Sequence, residues 1–255
     1  VPLARRLLFQ NKVRLAASVL GVALAVVLVL VNLGLLHGVQ TYATVLVRSQ
    51  AADAWIVARD TPFFEFGRVI DRAVLGRVRS ITGVERAEPL VLGPRGFSCR
   101  GGEGGPMNFI GVAPTNPGLP PPLVEGSIAR LNEFHTAVVD RSIRRRCPRL
   151  ALGDSFEVPT TQGITRVRVV GFTEGLRPVH TVPYAFVSLT TELDLFPEHL
   201  DLLTFVAVWF DPAANGDLVL RALERSVYPL EAISTRSFIR RHDEFWKRTA
   251  DVRII

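Results

Sequence analysis

The chain has 255 residues, 48% hydrophobic and 21% charged, and its formal charge of +6 comes from 28 arginines and two lysines against 24 acidic residues. The arginines are scattered, with no basic stripe, interleaved aromatics, zinc-finger spacing or RNA-binding signature, which argues against a nucleic-acid partner. Two cysteines are too few for an iron–sulfur cluster or a cysteine-built zinc site.

The N-terminal stretch PLARRLLFQNK reads either as a short interfacial helix, with Arg5 and Arg6 reaching headgroups, or as a disordered basic leader. Leu15 to Leu36 then runs without a formal charge. A helix of that length spans about 33 Å, against a hydrocarbon core of about 30 Å. A soluble core helix would need a polar face, and a cleaved signal has a shorter apolar region and a small-residue cleavage site. The stretch therefore predicts a membrane span. Asn32, inside it, is expected to seek a partner helix or the headgroup edge. Arg5, Arg6, Lys12 and Arg14 precede the span, and no Lys or Arg occurs from His37 to Val47. The positive-inside rule places the N-terminus in the cytoplasm and the following chain outside.

The expected organisation is a cytoplasmic segment over 1–13, a transmembrane helix over 14–38 and an extracytoplasmic core over 39–241, as one domain or two lobes. Residues 242–255 would approach a second span beyond the chain. Within the core, Ala54–Asp60 reads as a strand and Phe66–Ile81 as a helix of apolar period, stopped by Gly83. VERAEPLVLG is a second strand, SCRGGEGGPMN a glycine-rich turn, and Phe109–Ala113 a third strand. A Pro- and Gly-rich stretch from Gly118 could link two lobes, and TAVVDRS follows as a strand. DSFEVPTTQGITRVRVVGFTEG alternates as a hairpin turning at Thr160–Gly163. YAFVSL and TFVAVWF are further strands. DPAANGDLVLRALERSV is a helix with Asp211 as cap and Leu218, Leu220, Leu223 and Val227 as its inner side. LEAIST is a last strand. RSFIRRHDEFWKRTADVRII is a basic amphipathic helix carrying Phe238, Phe245 and Trp246, in which Phe245 and Trp246 beside Lys247 and Arg248 resemble a membrane-interface belt. The fold class expected is α+β, anchored by one N-terminal helix.

Chemistry is scarce. The histidines form no i, i+4 pair. Glu198, His199 and Asp201 are the nearest approach to a metal site, and a surface loop explains them more simply. Ser127 lacks a nucleophile elbow, and RGGEGGP lacks the Lys-Ser or Lys-Thr of a phosphate loop. Ser127, His135 and Asp140 are close in sequence, which is no sign of a triad. No enzyme activity, metal or cofactor is expected. The Arg144–Cys147 run reads as a solvated loop or a patch for an acidic partner. An exported location permits Cys99 and Cys147 to pair; free thiols or small buried residues are the alternative.

The first membrane segment, RRLLFQNKVRLAASVLGVALAVVLVLVNLGLLHG, resembles that of FtsX-like permeases of the MacB type, most closely the DevC branch of ABC exporters. DAWIVARDTPF, GVERAEPLVLG, FIGVAPTNPG, TAVVDRS, GDSFEV, VRVVGFTEG and the stretch from DPAANGD to HDEFW agree with that pattern in order and spacing. The resemblance implies a four-span permease with a MacB-like periplasmic core between spans one and two. It implies a separate cytoplasmic ATPase, a second permease copy and, in the DevC branch, a periplasmic adaptor with an outer-membrane duct and lipid-like cargo. This chain would be the N-terminal portion of such a protein, with Arg5, Arg6, Arg14, Asn32, Phe238, Phe245, Trp246 and Lys247 as interface and coupling candidates. The alternative is a single-pass anchored domain that binds a ligand or senses one.

Overall fold

The computed structural model describes residues 12–101, 103–113, 116, 118–176 and 182–252. It divides into two units, residues 1–41 and 42–255. The first is carried by helix α1, Lys12–Ala43. Its Leu15–Asn32 window has a mean hydropathy of 2.6 and buries nothing within the protein, as lipid-facing side chains should. The helix starts before and continues past the 14–38 expected from sequence. Asn32 meets its need locally: Nδ2 donates to the Leu28 carbonyl at 3.0 Å, one turn back.

The second unit is one compact body built on a ten-stranded sheet in the order β12-β1-β11-β3-β4-β9-β6-β8-β5, with β7 joining β3 to β8. Its strands are β1 (Ala54–Val57), β3 (Val84–Ser98), β4 (Gly104–Val112), β5 (Glu125–Gly126), β6 (Thr136–Asp140), β7 (Ser155–Thr160), β8 (Gly163–Thr173), β9 (Tyr184–Ser188), β11 (Phe205–Phe210) and β12 (Glu231–Ser234). The ladders β4–β9 and β6–β8 are parallel and the others antiparallel. Because β7 pairs β8 along its length and touches β3 at Ser98↔Glu157, strands β3, β4, β9, β6, β8 and β7 close into a ring. Strands β12, β1 and β11 extend from it as an open wing.

Period-two alternation sorts the side chains into three cores. Phe97, Met107, Phe109, Ala137, Val139, Phe156, Val158, Val167, Val169, Ala185 and Val187 face inward in the ring. Ile110, Val138, Phe186, Trp55, Phe205 and Ala207 lie on the opposite side of their strands and share a second core with Leu46, Val47 and Phe238. Ala54, Ile56, Val206 and Val208 point the other way on the wing, into a third core. That third core is covered by helix α3 (Val74–Arg79) through Val74 and Val78, and by α5 (Gly216–Val227) through Val219, Leu223 and Val227. A short helix, α2 (Val45–Ser49), and the long α6 (Thr235–Val252) serve the second core, and α4 (Leu189–Leu195) ends against the ring.

Several expectations shift. The predicted Phe66–Ile81 helix is helical only at Val74–Arg79. Before it, Phe64–Phe66 is a single 3₁₀ turn, and Ile70–Asp71 (β2) pairs with Leu202–Leu203 (β10). Ile70 is taken into that strand pair, which delays the helix to Val74. Gly67 passes so close to β11 that a Cβ there would come within 2.4 Å of Phe205 and Thr204. In α5, Asn215 and not Asp211 is the cap, its Oδ1 accepting from the amides of Asp217 and Leu218 at 3.1 and 3.2 Å. The inner row is Val219, Leu223 and Val227, and Leu218 is 58% exposed. The glycine-rich turn is shorter than expected, since Gly104 to Asn108 already belong to β4.

Candidate functional site

The segment that leaves α1 is fixed at once. Leu46 and Val47 of α2 are buried. Arg48 Nε donates to Thr44 Oγ1 at 3.1 Å, and Ser49 Oγ to the Leu46 carbonyl at 3.1 Å. Gln50 is buried; its carbonyl accepts from Trp209 Nε1 at 3.2 Å and its Oε1 from Asn116 Nδ2 at 3.3 Å. Gly118, at φ +81°, lies where a Cβ would come within 1.9 Å of the Ser49 carbonyl oxygen, so the loop bearing Leu119 closes directly over the end of α2. Glycine is the residue that tolerates both that φ and that approach.

Thr235, the first residue of α6, ties this segment to the end of the domain. Its Oγ1 accepts from Trp55 Nε1 at 3.0 Å and donates to the Ala52 carbonyl in a short bond. Its amide donates to the Asp53 carbonyl at 3.0 Å. Asp53 in turn accepts from the Phe210 amide through Oδ2 at 2.8 Å. Under this lattice Trp55 meets Phe64, Phe205 and Phe238 at ring separations of 6.1, 6.1 and 5.9 Å, and Phe64 stacks on Phe205 at 5.0 Å. The incoming segment and the base of α6 are thus joined through one indole, with its N–H bonded and its ring in the core.

Nearly two turns further along α6, Arg241 grips Glu231 through both guanidinium arms, Nη1 at 2.8 Å, and also donates to the Thr61 carbonyl at 3.4 Å. The bond to Arg241 holds the Glu231 carboxyl below its usual range, and Glu231 raises Arg241. His242 is buried with its ring edge-on to Phe63 at 5.6 Å, and burial lowers its pKa.

The sequence-predicted residues are distributed unevenly over this arrangement. Phe238 lies in the core of the domain. It is 1% exposed in the second core, because the apolar face of α6 is turned to the sheet. Phe245 is 36% exposed and packs on Phe63 at 5.0 Å. Asn32 lies on α1, in the other unit. Arg5 and Arg6 lie outside the described residues, as do the side chains of Arg14, Trp246 and Lys247, whose backbones are helical. Trp55, Thr235, Gln50, Glu231 and Arg241 were not singled out in the sequence. The one signal for Trp55 is a buried-strand indole that must find an acceptor.

The remaining candidates have structural partners. Cys99 and Cys147 form a disulfide, with Cα atoms 6.1 Å apart, joining the tip of the β3–β4 hairpin to the turn after β6. Arg144 lies over the Phe172 ring at 4.4 Å and pairs with Glu125 at 3.6 Å, while Arg146 Nη1 donates to the Gly104 carbonyl at 3.3 Å. Glu198 pairs with Arg95 at 2.6 Å, and His199 Nδ1 with Glu192 at 2.6 Å. His135 pairs with Asp194 at 2.8 Å. Asp140 accepts from the Ser142 and Leu176 amides at 2.9 and 3.3 Å. Ser127, His135 and Asp140 make no hydrogen bond with one another among the described residues, which also contain no group of three or more His, Cys, Asp or Glu suited to a metal ion.

An N-terminal helix long and apolar enough to cross a membrane, together with a large α+β body, is the architecture of a membrane-anchored domain. The chain belongs to the family of the MacB-like periplasmic core domain, which matches residues 15–226. This places it in the permease part of an ABC transport system, at the inner membrane, with its main domain outside the cytoplasm. Among solved structures it is similar to the periplasmic region of MacB from Actinobacillus actinomycetemcomitans, with a TM-score of 0.57 and 10% identity over 75% of this chain and 92% of that one. It is also similar to the extracellular domain of the noncanonic ABC-type transporter YknZ from Gram-positive bacteria, with a TM-score of 0.50 and 10% identity over 71% and 98%. At that identity the likeness is one of fold. No curated protein matches.

Proposed function

We propose that the chain is the N-terminal part of the permease subunit of an ABC exporter of the DevC branch. In this reading a separate cytoplasmic ATPase hydrolyses ATP and the permease works as a dimer with a second copy of itself. A periplasmic adaptor and an outer-membrane duct complete the path. The chain itself hydrolyses nothing; it passes motion from the membrane to the extracytoplasmic core. The observation that carries this is the Thr235 junction, where the segment following the membrane helix and the first turn of α6 share one set of buried hydrogen bonds over Trp55. A displacement of the incoming segment is delivered to α6 and to the wing strands together, since tightly packed interiors transmit strain.

Thr235→Val tests it in the full-length complex with its ATPase. The substitution keeps the shape and removes the hydroxyl, leaving Trp55 Nε1 without its acceptor at a cost of about 1–3 kcal/mol. The expected result is export and transport-coupled ATP hydrolysis reduced several-fold, with folded permease still present and the isolated ATPase unaffected. Normal coupled turnover in a folded Thr235→Val complex would remove the junction from the mechanism.

A further inference from the structure

The glycine-rich turn after β3 and the arginine run after β6 stand far apart in the sequence and meet at the Cys99–Cys147 disulfide. Arg100 follows the first cysteine; Arg145 and Arg146 precede the second, and Arg149 lies just beyond it. Arg100, Arg145 and Arg149 are exposed and Arg146 is half-buried. None of these four forms an ion pair among the described residues. The pairs nearby belong to others: Arg141 and Arg144 with Glu125, Arg141 with Glu174, and Arg166 with Glu157.

The cluster is held in place by its backbone. The amides of Arg146 and Cys147 both donate to the Ile143 carbonyl, at 2.9 and 3.0 Å, and the Cys99 amide donates to the Glu103 carbonyl at 2.7 Å. Arg146 itself occupies the room left by a missing side chain. A Cβ on Gly105 would come within 1.6 Å of its Nη1, which donates to the Gly104 carbonyl at 3.3 Å. The glycines of RGGEGGP therefore seat an arginine rather than a phosphate. Glu103 and Asp154 are the acids of the two joined stretches, and Asp154 already accepts from the Ala151 amide at 2.9 Å. Asp140, at the head of the arginine run, is buried and bonded to the Ser142 and Leu176 amides. Four arginines against two acids leave this tip positive, whereas the rest of residues 42–234 holds more acids than arginines.

We infer that the disulfide-bound tip is a docking surface for an acidic segment of an extracytoplasmic protein. All four cations are arginines, whose planar forks match carboxylates in pairs. A cluster fixed before the partner arrives spares the cost of ordering it. Position within the core favours protein over lipid as the occupant. The chain enters the core at Asp53, whose amide donates to the Val208 carbonyl at 2.9 Å, and Val208 stands opposite Ala87 of β3. Ser98, at the tip, is eleven residues further along the same strand, about 36 Å away at the rise of an extended chain. The tip thus lies at the end of β3 remote from the entry of the membrane-derived segment. The inference depends on the extracytoplasmic location of the core and not on coupling through Thr235, so either can fail while the other holds.

The test uses the full chain in phosphatidylcholine nanodiscs and a short fluorescent peptide of alternating Glu and Ala, with its Gln and Ala counterpart as control. Fluorescence anisotropy should show binding of the acidic peptide alone, weakening as salt rises. Arg145→Gln, Arg146→Gln and Arg149→Gln should each weaken it about threefold. Arg166→Gln, at an exposed arginine already paired with Glu157, and Arg221→Gln, on the outer face of α5, should leave it unchanged. Unchanged urea midpoints confirm that the variants are folded. A photo-crosslinking version of the peptide should mark residues 100–105 and 145–152. Crosslinks concentrated elsewhere, or equal losses in the Arg166 and Arg221 variants, overturn the inference. So does displacement of the peptide by phosphatidylglycerol vesicles at equal charge, which would assign the surface to lipid.

Discussion

Phe238→Ala separates a core role from an interface role at the start of α6. The ring is 1% exposed and sits 5.9 Å from Trp55 and 6.1 Å from Phe205. Truncation removes the buried ring and leaves a cavity bounded by two aromatics and the sheet. Such losses cost about 3–5 kcal/mol, of which about 0.5–1.5 kcal/mol is the aromatic pairing itself. A domain of ordinary stability has about 5–15 kcal/mol in all, so the variant should accumulate poorly. Phe238→Leu retains most of the volume and should lose less than about 2 kcal/mol. Urea unfolding of the detergent-solubilised chain, followed by tryptophan fluorescence, reads both directly because Trp55 abuts the altered site. An unchanged slope with a lowered midpoint is expected. A loss below about 1 kcal/mol for Phe238→Ala, together with lost transport coupling, would refute the packing argument and return Phe238 to the membrane interface.

Removing the Cys99–Cys147 bond by a double serine substitution releases a loop of sequence separation 48 and should cost about 4 kcal/mol on the chain-entropy estimate, seen as a lower midpoint that reducing agent reproduces only in the native chain. The Glu231 carboxyl is held low by Arg241, so its stabilisation is present above the unfolded value of 4.5 and is lost as pH falls through the lower folded value; Arg241→Gln should flatten that part of the acid limb in a pH series of melts. His242 has its pKa lowered by burial, so stability should be full above 6.5 and decline as pH drops below it towards the folded value. His242→Phe should remove that slope. Leu28→Arg places a charge in the apolar window of α1 and should cost about 2.5–3.5 kcal/mol on insertion scales, measured as lost membrane fractionation; unchanged insertion would argue against a lipid-embedded helix.

Local signals in the sequence led to the right elements wherever one strand or one turn decided the matter. The charge-free run from Leu15 announced α1, the alternation from Ser155 to Thr173 announced the β7–β8 hairpin, and Thr160 and Gly163 sit at its turn as expected. Ladders between distant segments left no such trace. The closure of the ring depends on Ser98 meeting Glu157, and neither residue type nor spacing marks that meeting. The helix expected over Phe66–Ile81 shows the same limit in reverse. Its apolar residues have a helical period, but Phe66, Ile70 and Val74 serve three different structures, a 3₁₀ turn, a strand and an α-helix. Leu218 failed for a simpler reason: its neighbour Val219 completes a better row with Leu223 and Val227, and one helix face cannot hold both.

The Thr235 junction was hidden because its parts are chemically ordinary. Thr235 is one of many threonines, and nothing near it in sequence reveals that its hydroxyl will accept from an indole 180 residues away. What the sequence did expose was the amphipathic character of α6, and that character is ambiguous by nature. A row of aromatics beside basic residues fits both a helix lying on a sheet and a helix entering lipid. The structure divides the row along its length. Phe238, near the start of the helix, is enclosed between Trp55 and Phe205. Seven residues later Phe245 touches one ring of the core and remains more than a third exposed. The helix is therefore anchored firmly at the end that shares hydrogen bonds with the incoming segment and more loosely beyond it. Coupling should accordingly be most sensitive to Thr235 and Trp55, and less sensitive to Phe245.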